Sequence, residues 1–207
     1  MKKYLLLFCL FITSLATSFG YDGKLIQLKG SVKILKHKSF KIAVATQGME
    51  LNSGDVIKTE KGSLVHLEMP GGRIALIKEN SRFKILSDAK KKHVNLEFDH
   101  GEFLIGVKRK LKKEESFTVR SPSAVVGVRG TLFWGLSDEK MTSTYACFES
   151  QITVLAGGIM LALNPGEKVV IPYGEQPGTV NPANVPLTYL DTFKINDSLQ
   201  NLEDLLK

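Results

Sequence analysis

An all-β fold is what this sequence predicts from residue 25 to residue 171, and three observations carry the prediction. Val94, Leu96 and Phe98 alternate with His93, Asn95 and Glu97, a period of two that gives a strand one apolar face. Val65, Leu67 and Met69 repeat that pattern, as do Phe103, Ile105 and Val107. Turn-forming residues separate the runs at Asn52-Ser53-Gly54-Asp55, Pro70-Gly71-Gly72, Asp99-His100-Gly101, Gly157-Gly158 and Asn164-Pro165-Gly166. Strands spaced roughly 8–12 residues apart fit a sandwich, a barrel or a solenoid, and periodicity alone leaves all three open.

The chain of 207 residues begins with Lys2 and Lys3, an apolar stretch from Leu5 to Leu15, and Ser18-Phe19-Gly20. That order reads as a secretory signal peptide over residues 1–20, because the apolar core is too short to span a bilayer. An uncleaved anchor is the alternative. Cys9 follows Phe8 rather than a small residue, so it is not read as a lipid-attachment site. Cleavage after Gly20 removes Lys2 and Lys3 and takes the net charge from +7 to +5. Cys147 is then the only cysteine, expected as a buried thiol in the strand-like run 142–148. The mature chain is expected beyond the inner membrane and not spanning it, in the periplasm, with the cell surface or the exterior as alternatives.

Shorter alternations follow at Phe117 with Val119, Ile152 with Val154, and Val169 with Ile171. GSVKIL (30–35) and SQITVL (150–155) echo one another, each preceding a glycine turn and an acidic step, Gly54-Asp55 or Gly166-Glu167. After the β domain (21–171), Pro172, Gly174, Pro177, Gly178, Pro182 and Pro186 mark a linker over 172–186. Leu187, Leu190 and Phe193, then Leu199, Leu202, Leu205 and Leu206, give residues 187–207 the stripe of an amphipathic helix. Such a helix either caps an open sheet edge or solenoid end, or lies in a partner's groove.

The stretch from Ser121 to Phe133, SPSAVVGVRGTLF, is the most distinctive. Pro122 pushes Ser121 toward extended backbone, and Ala124, Val125, Val126 and Val128 predict a strand buried on both faces. Gly127 and Gly130 predict a bulge or sharp corner. Arg129 is expected among apolar neighbours, stapling the corner through its planar fork. Contact with an anionic ligand is the other reading of Arg129.

This run, with Pro122, Ala124, Val126, Gly127, Val128, Arg129, Gly130, Thr131 and Phe133, resembles the signature of the FecR family, periplasmic β-rich domains of bacterial trans-envelope regulators. GSVKIL, residues 48–85, 94–105 and 163–171 fall in the family's order and spacing. The resemblance implies an irregular β-solenoid or roll of short strands, here with a short C-terminal helical appendage, and no cofactor. Regulators of this family carry a cytoplasmic anti-sigma segment and a membrane span before the domain, and a signalling domain after it. A signal peptide stands in place of the first two here, so direct sigma-factor control is not expected. Some transmembrane members cleave themselves at a Gly-Thr step. Gly130-Thr131 is the matching pair, with Thr131 as nucleophile and Gly130 as acyl donor, against the plain reading of Thr131 as a strand residue.

Basic residues cluster at 33–41, 90–93 and 108–113, and include Lys36, Lys38, Lys91, Lys108, Arg109, Lys110 and Lys112. They are expected either as a face for anionic glycan or lipid headgroups, or as solvated lysines at hairpin tips that discourage edge pairing. Nucleic acid is not expected, since no aromatics interleave with the charge and the chain is read as exported. His37, His66, His93 and His100 lack metal-ligand spacing and read as solvated surface residues. No serine or cysteine sits in a nucleophile elbow, so no catalytic residue is assigned. The expected function is a non-enzymatic binding or sensory module engaging an envelope protein. The alternative is an envelope structural or adhesive protein that holds anionic glycan or lipid through its basic tips.

Overall fold

A computed structural model describes residues 20–88 and 90–175. The predicted signal peptide, most of the linker and the C-terminal helix therefore lie outside the described residues. Within them there are sixteen strands and no helix. The first eight are β1 (Gly23–Lys29), β2 (Val32–Leu35), β3 (Ile42–Val44), β4 (Glu50–Leu51), β5 (Val56–Thr59), β6 (Leu64–Met69), β7 (Arg73–Ile77) and β8 (Ser81–Ser87). The rest are β9 (His93–Val107), β10 (Ser116–Arg120), β11 (Val125–Val128), β12 (Leu132–Ser137), β13 (Ser143–Cys147), β14 (Ile152–Ala156), β15 (Ile159–Leu163) and β16 (Lys168–Ile171).

Two sheets share β9. Sheet A runs β4-β1-β6-β7-β9-β12-β13-β16 and sheet B runs β3-β2-β5-β8-β9-β10-β11-β14-β15. Residues up to His100 pair with β8 and β10 in sheet B; Gly101 to Val107 pair with β7 and β12 in sheet A. Asp99-His100-Gly101, expected as a turn, is thus a bend inside one fifteen-residue strand. Gly101 makes the bend with a φ of +115°, a value that L side chains rarely adopt, and the β8 register slips beside it between Arg82 and Phe83. Only β9–β10 is parallel; every other pairing is antiparallel, so the strands form layers instead of stacked coils.

The inward rows of both sheets meet in one core. Phe83 and Phe98 of sheet B stack at 5.2 Å, and Phe103 of sheet A meets them edge-on at 5.5 and 4.9 Å. Such pairs add about 0.5–1.5 kcal/mol each beyond the area they bury. The strand β11 alternates instead of burying both faces: Val126 and Val128 point into the core, while Val125 and Gly127 are half-exposed. Gly127 stays in plain register between Thr118 and Thr153, so no bulge forms there.

The internal echo survives as shared turn chemistry. The Asp55 N–H donates to the Asn52 carbonyl at 3.0 Å, while the Asp55 carboxylate accepts the Asn52 N–H at 3.0 Å. Glu167 and Asn164 make the same reciprocal pair, at 3.0 and 2.7 Å. Of the two acids Asp55 is the buried one, and it also accepts the His37 N–H at 2.9 Å and the Lys36 ammonium at 2.8 Å. Burial alone would raise this carboxyl, but Lys36 and the Asn52 and His37 N–H groups together hold it below the ordinary 3.8.

A depressed folded-state value gives stability that is complete above the unfolded carboxyl's range and is lost as pH falls through the folded value. Asp55→Asn should therefore cost about 1–3 kcal/mol at neutral pH and flatten the acid limb of stability against pH. Denaturant melts across the acid range check it; an unchanged slope would show that Asp55 is not the group titrating.

Candidate functional site

The signature run spans the corner where the chain leaves sheet B for sheet A. The Ser121 N–H donates to the Ala124 carbonyl at 2.9 Å, closing a turn around Pro122. Ala124, Val126, Val128 and Phe133 fill the core, and Gly130, at a φ of +104°, makes the corner between β11 and β12. Arg129 is exposed, contrary to the expected staple, because Val128 takes the inward phase and the next side chain must point out. Among the described residues it has no ion pair or hydrogen bond. The buried arginine is Arg73, which the sequence did not single out.

Thr131 is buried, and its hydroxyl donates to the Glu149 carbonyl, an acceptor that cannot carry the proton away. The Cys147 sulfur lies 3.9 Å off, a buried thiol whose pKa burial pushes up. These neighbours suit a packed strand residue and supply no base for attack on the Gly130 carbonyl.

Arg129 faces a groove of about 820 Å³ walled by the β9–β10 connection and the start of β14. Lys108, Lys110 and Lys113 also line it, as do Thr118, Gln151 and Thr153. Arg109 grips Glu115 with two bonds of 2.6 and 2.7 Å, and that contact with the Lys112 N–H holds the Glu115 carboxyl down to about 2. Arg109 is spent on that pair; Lys108, Lys110, Lys113 and Arg129 have no ion pair among the described residues. The basic run 108–113 joins two parallel strands, so it is not the hairpin tip expected.

The other predicted cations do not join this groove. Lys36 and Lys38 sit at the β2–β3 tip and Lys91 on the β8–β9 connection. Lys36 is engaged by Asp55 and Lys91 by the buried Asp22. Lys112 belongs to the groove's loop but not to its lining. Of the histidines, His37, His93 and His100 are exposed, but His66 is 4% exposed on the outer face of sheet A, and burial lowers its pKa.

A second feature was hidden inside the first basic cluster. β3 pairs only with β2, so it is an open edge of sheet B. Phe40, Ile42 and Val44, at i, i+2 and i+4, are 77%, 70% and 75% exposed. An extended, apolar edge strand offers unpaired backbone groups and side-chain anchors together, which is what strand addition by a partner needs. At the opposite edge, β15 exposes Met160, a single large apolar side chain.

The sequence profile of the FecR protein family matches residues 55–162, from β5 to the end of β15 and across the corner motif. The chain belongs to the FecR family. Two crystal structures of a "putative anti-sigma factor" from Parabacteroides distasonis ATCC 8503, at 2.50 and 1.65 Å resolution, share its fold, each with a TM-score of 0.52 and 18% identity. Each comparison covers 58% of this chain, and 55% and 56% of those chains, so this FecR-family protein spans little more than half their length. No curated protein matches it.

Proposed function

We propose that this FecR-family protein is a non-enzymatic binding or sensory module of the bacterial envelope that engages a protein partner along β3. The carrying observation is the open edge with Phe40, Ile42 and Val44 held in solvent. Monomeric proteins rarely leave an apolar edge uncovered, because it invites indiscriminate strand pairing. Lys38 and Lys41 flank the row, and their charge disfavours self-pairing while an oppositely charged partner strand is tolerated. Family membership supports a signalling role, and the leader-like residues 1–20 support the envelope address.

The test is affinity capture from native envelopes at high salt, comparing the natural protein with Ile42→Glu. A defined protein should co-purify with the natural chain and be reduced at least ten-fold with the variant, the loss expected when a charge replaces an apolar anchor worth about 1.4 kcal/mol or more. Equal capture by both would reject the edge as the contact.

The groove around Arg129 favours a second reading, retention of an anionic glycan or lipid headgroup. Four cations without ion pairs beside hydroxyl groups supply the charge and hydrogen bonds such a ligand requires. That contact is solvent-exposed, so envelope retention through it should vanish at moderate ionic strength while capture through β3 persists.

A further inference from the structure

Sheet A is apolar on both faces. Its inward row joins the main core, but Ile74 and Leu76 of β7, Leu104 of β9, Leu132 and Trp134 of β12 and Ala146 of β13 point the other way and form a core of their own. Leu76, Leu104 and Ala146 are 0% exposed and Trp134 is 7% exposed. Yet all sixteen described strands belong to the two sheets, and sheet B packs on the opposite side, so no described strand lies over this face. A two-layer β fold normally turns polar side chains outward here. His66 of β6 shares the face, buried, with neither ring nitrogen hydrogen-bonded among the described residues.

We propose that the amphipathic segment 187–207 of this same chain docks on the outer face of sheet A and completes that second core. Three facts select this occupant over a separate molecule. The chain leaves the described residues just after β16, the edge strand of the same sheet, so the segment is delivered beside its target. Trp134 lies two strands in from β16 and Leu104 three, about 10 and 14 Å at ordinary strand spacing. Residues 176–186 reach roughly 35 Å when extended, so the linker spans the gap with slack.

The chemistry also matches. Leu187, Leu190 and Phe193, then Leu199, Leu202, Leu205 and Leu206, offer large apolar groups at helical spacing, with Asp191, Lys194, Glu203 and Asp204 between them. A helix of that length is about 30 Å long, enough to cross the roughly 19 Å from β7 to β16 even with a break at Asn196-Asp197. The polar residues of the segment are the available partners for the His66 ring.

Trp134 is the only tryptophan of the chain, so its fluorescence reports this face alone. In the full mature chain, Leu199→Asp with Leu202→Asp should shift Trp134 emission to the red and raise its acrylamide quenching at least three-fold, with the β-sheet circular dichroism kept. A folded variant whose Trp134 stays protected would overturn the proposal. So would protection in the natural chain that falls on dilution, since a second copy would then be the cover. A photo-crosslinking side chain at Phe193 of the otherwise natural protein gives a reading independent of variant folding. Crosslinks to β7, β9 or β12 within one chain are expected; crosslinks only between chains, or none to sheet A, would contradict it.

Discussion

Gly101→Ala is expected to cost roughly 3–5 kcal/mol, the sum of a side chain forced to positive φ and one driven into a packed neighbour. A methyl group on Gly101 would stand 2.0 Å from the Ser81 hydroxyl oxygen and 2.6 Å from the Ser81 Cα. Ser81 itself is fixed, since its N–H donates to Thr59 at 2.9 Å and its hydroxyl to the Glu79 carbonyl at 3.1 Å. Because β9 belongs to both sheets, strain at its bend is felt across the whole domain, and a domain holds only about 5–15 kcal/mol in total. Ser81→Gly in the Gly101→Ala background should recover the steric part and leave the φ penalty. Urea melts of the four proteins check this. Additive losses would show that the two residues do not meet.

Arg73 is expected to tolerate no substitute. Its guanidinium donates to the Pro70 carbonyl and, at 3.3 Å each, to the carbonyls of Lys92 and Ser116, and lies 5.6 Å over the Phe117 ring. One side chain thus ties the β6–β7 turn, the β8–β9 connection and the head of β10, where the parallel pairing starts. Arg73→Ala should lose about 3–5 kcal/mol, through the vacated volume and carbonyls left without donors. Arg73→Lys should recover less than half of that, because an ammonium cannot serve three carbonyls while lying flat on a ring. Arg73→Met should be milder than Ala, since it refills the space. Thermal or urea unfolding ranks the three; a lysine variant as stable as the natural protein would contradict the assignment.

These two residues show where the sequence was legible and where it was not. Period-two runs at 65–69, 93–98 and 103–107 are strands, because one buried face imposes the alternation that hydropathy reveals. The same local chemistry misread Gly101, since a glycine that turns a chain and one that bends a strand look alike. A phase change was nonetheless present: inward Phe98 and inward Phe103 are five apart, an odd number, so one residue between them must break the alternation. Arg73 sits in Arg-Ile-Ala-Leu-Ile, apolar on both faces, and nothing local says which phase faces the main core. That double burial is also the trace of the second core on sheet A.

Arg129 failed for a related reason. Valines on both sides of a strand predict two-sided burial, but β11 has neighbours on one face only, and the arginine takes the open side. Phe40, Ile42 and Val44 alternate plainly, yet they lie among Lys36, Lys38 and Lys41, so the charge dominated the reading. Which strand ends at a sheet edge depends on long-range pairing, and no local pattern encodes it.

The account stands on β3 being the contact surface of a FecR-family binding module. Site-specific photo-crosslinking in living envelopes decides this most directly, with the reactive residue at Ile42 in one sample and at Lys110 in another. The expected result is one discrete protein adduct from Ile42, insensitive to salt, and none from Lys110. A protein adduct from Lys110 with Ile42 silent would contradict it and move the site to the groove beside Arg129.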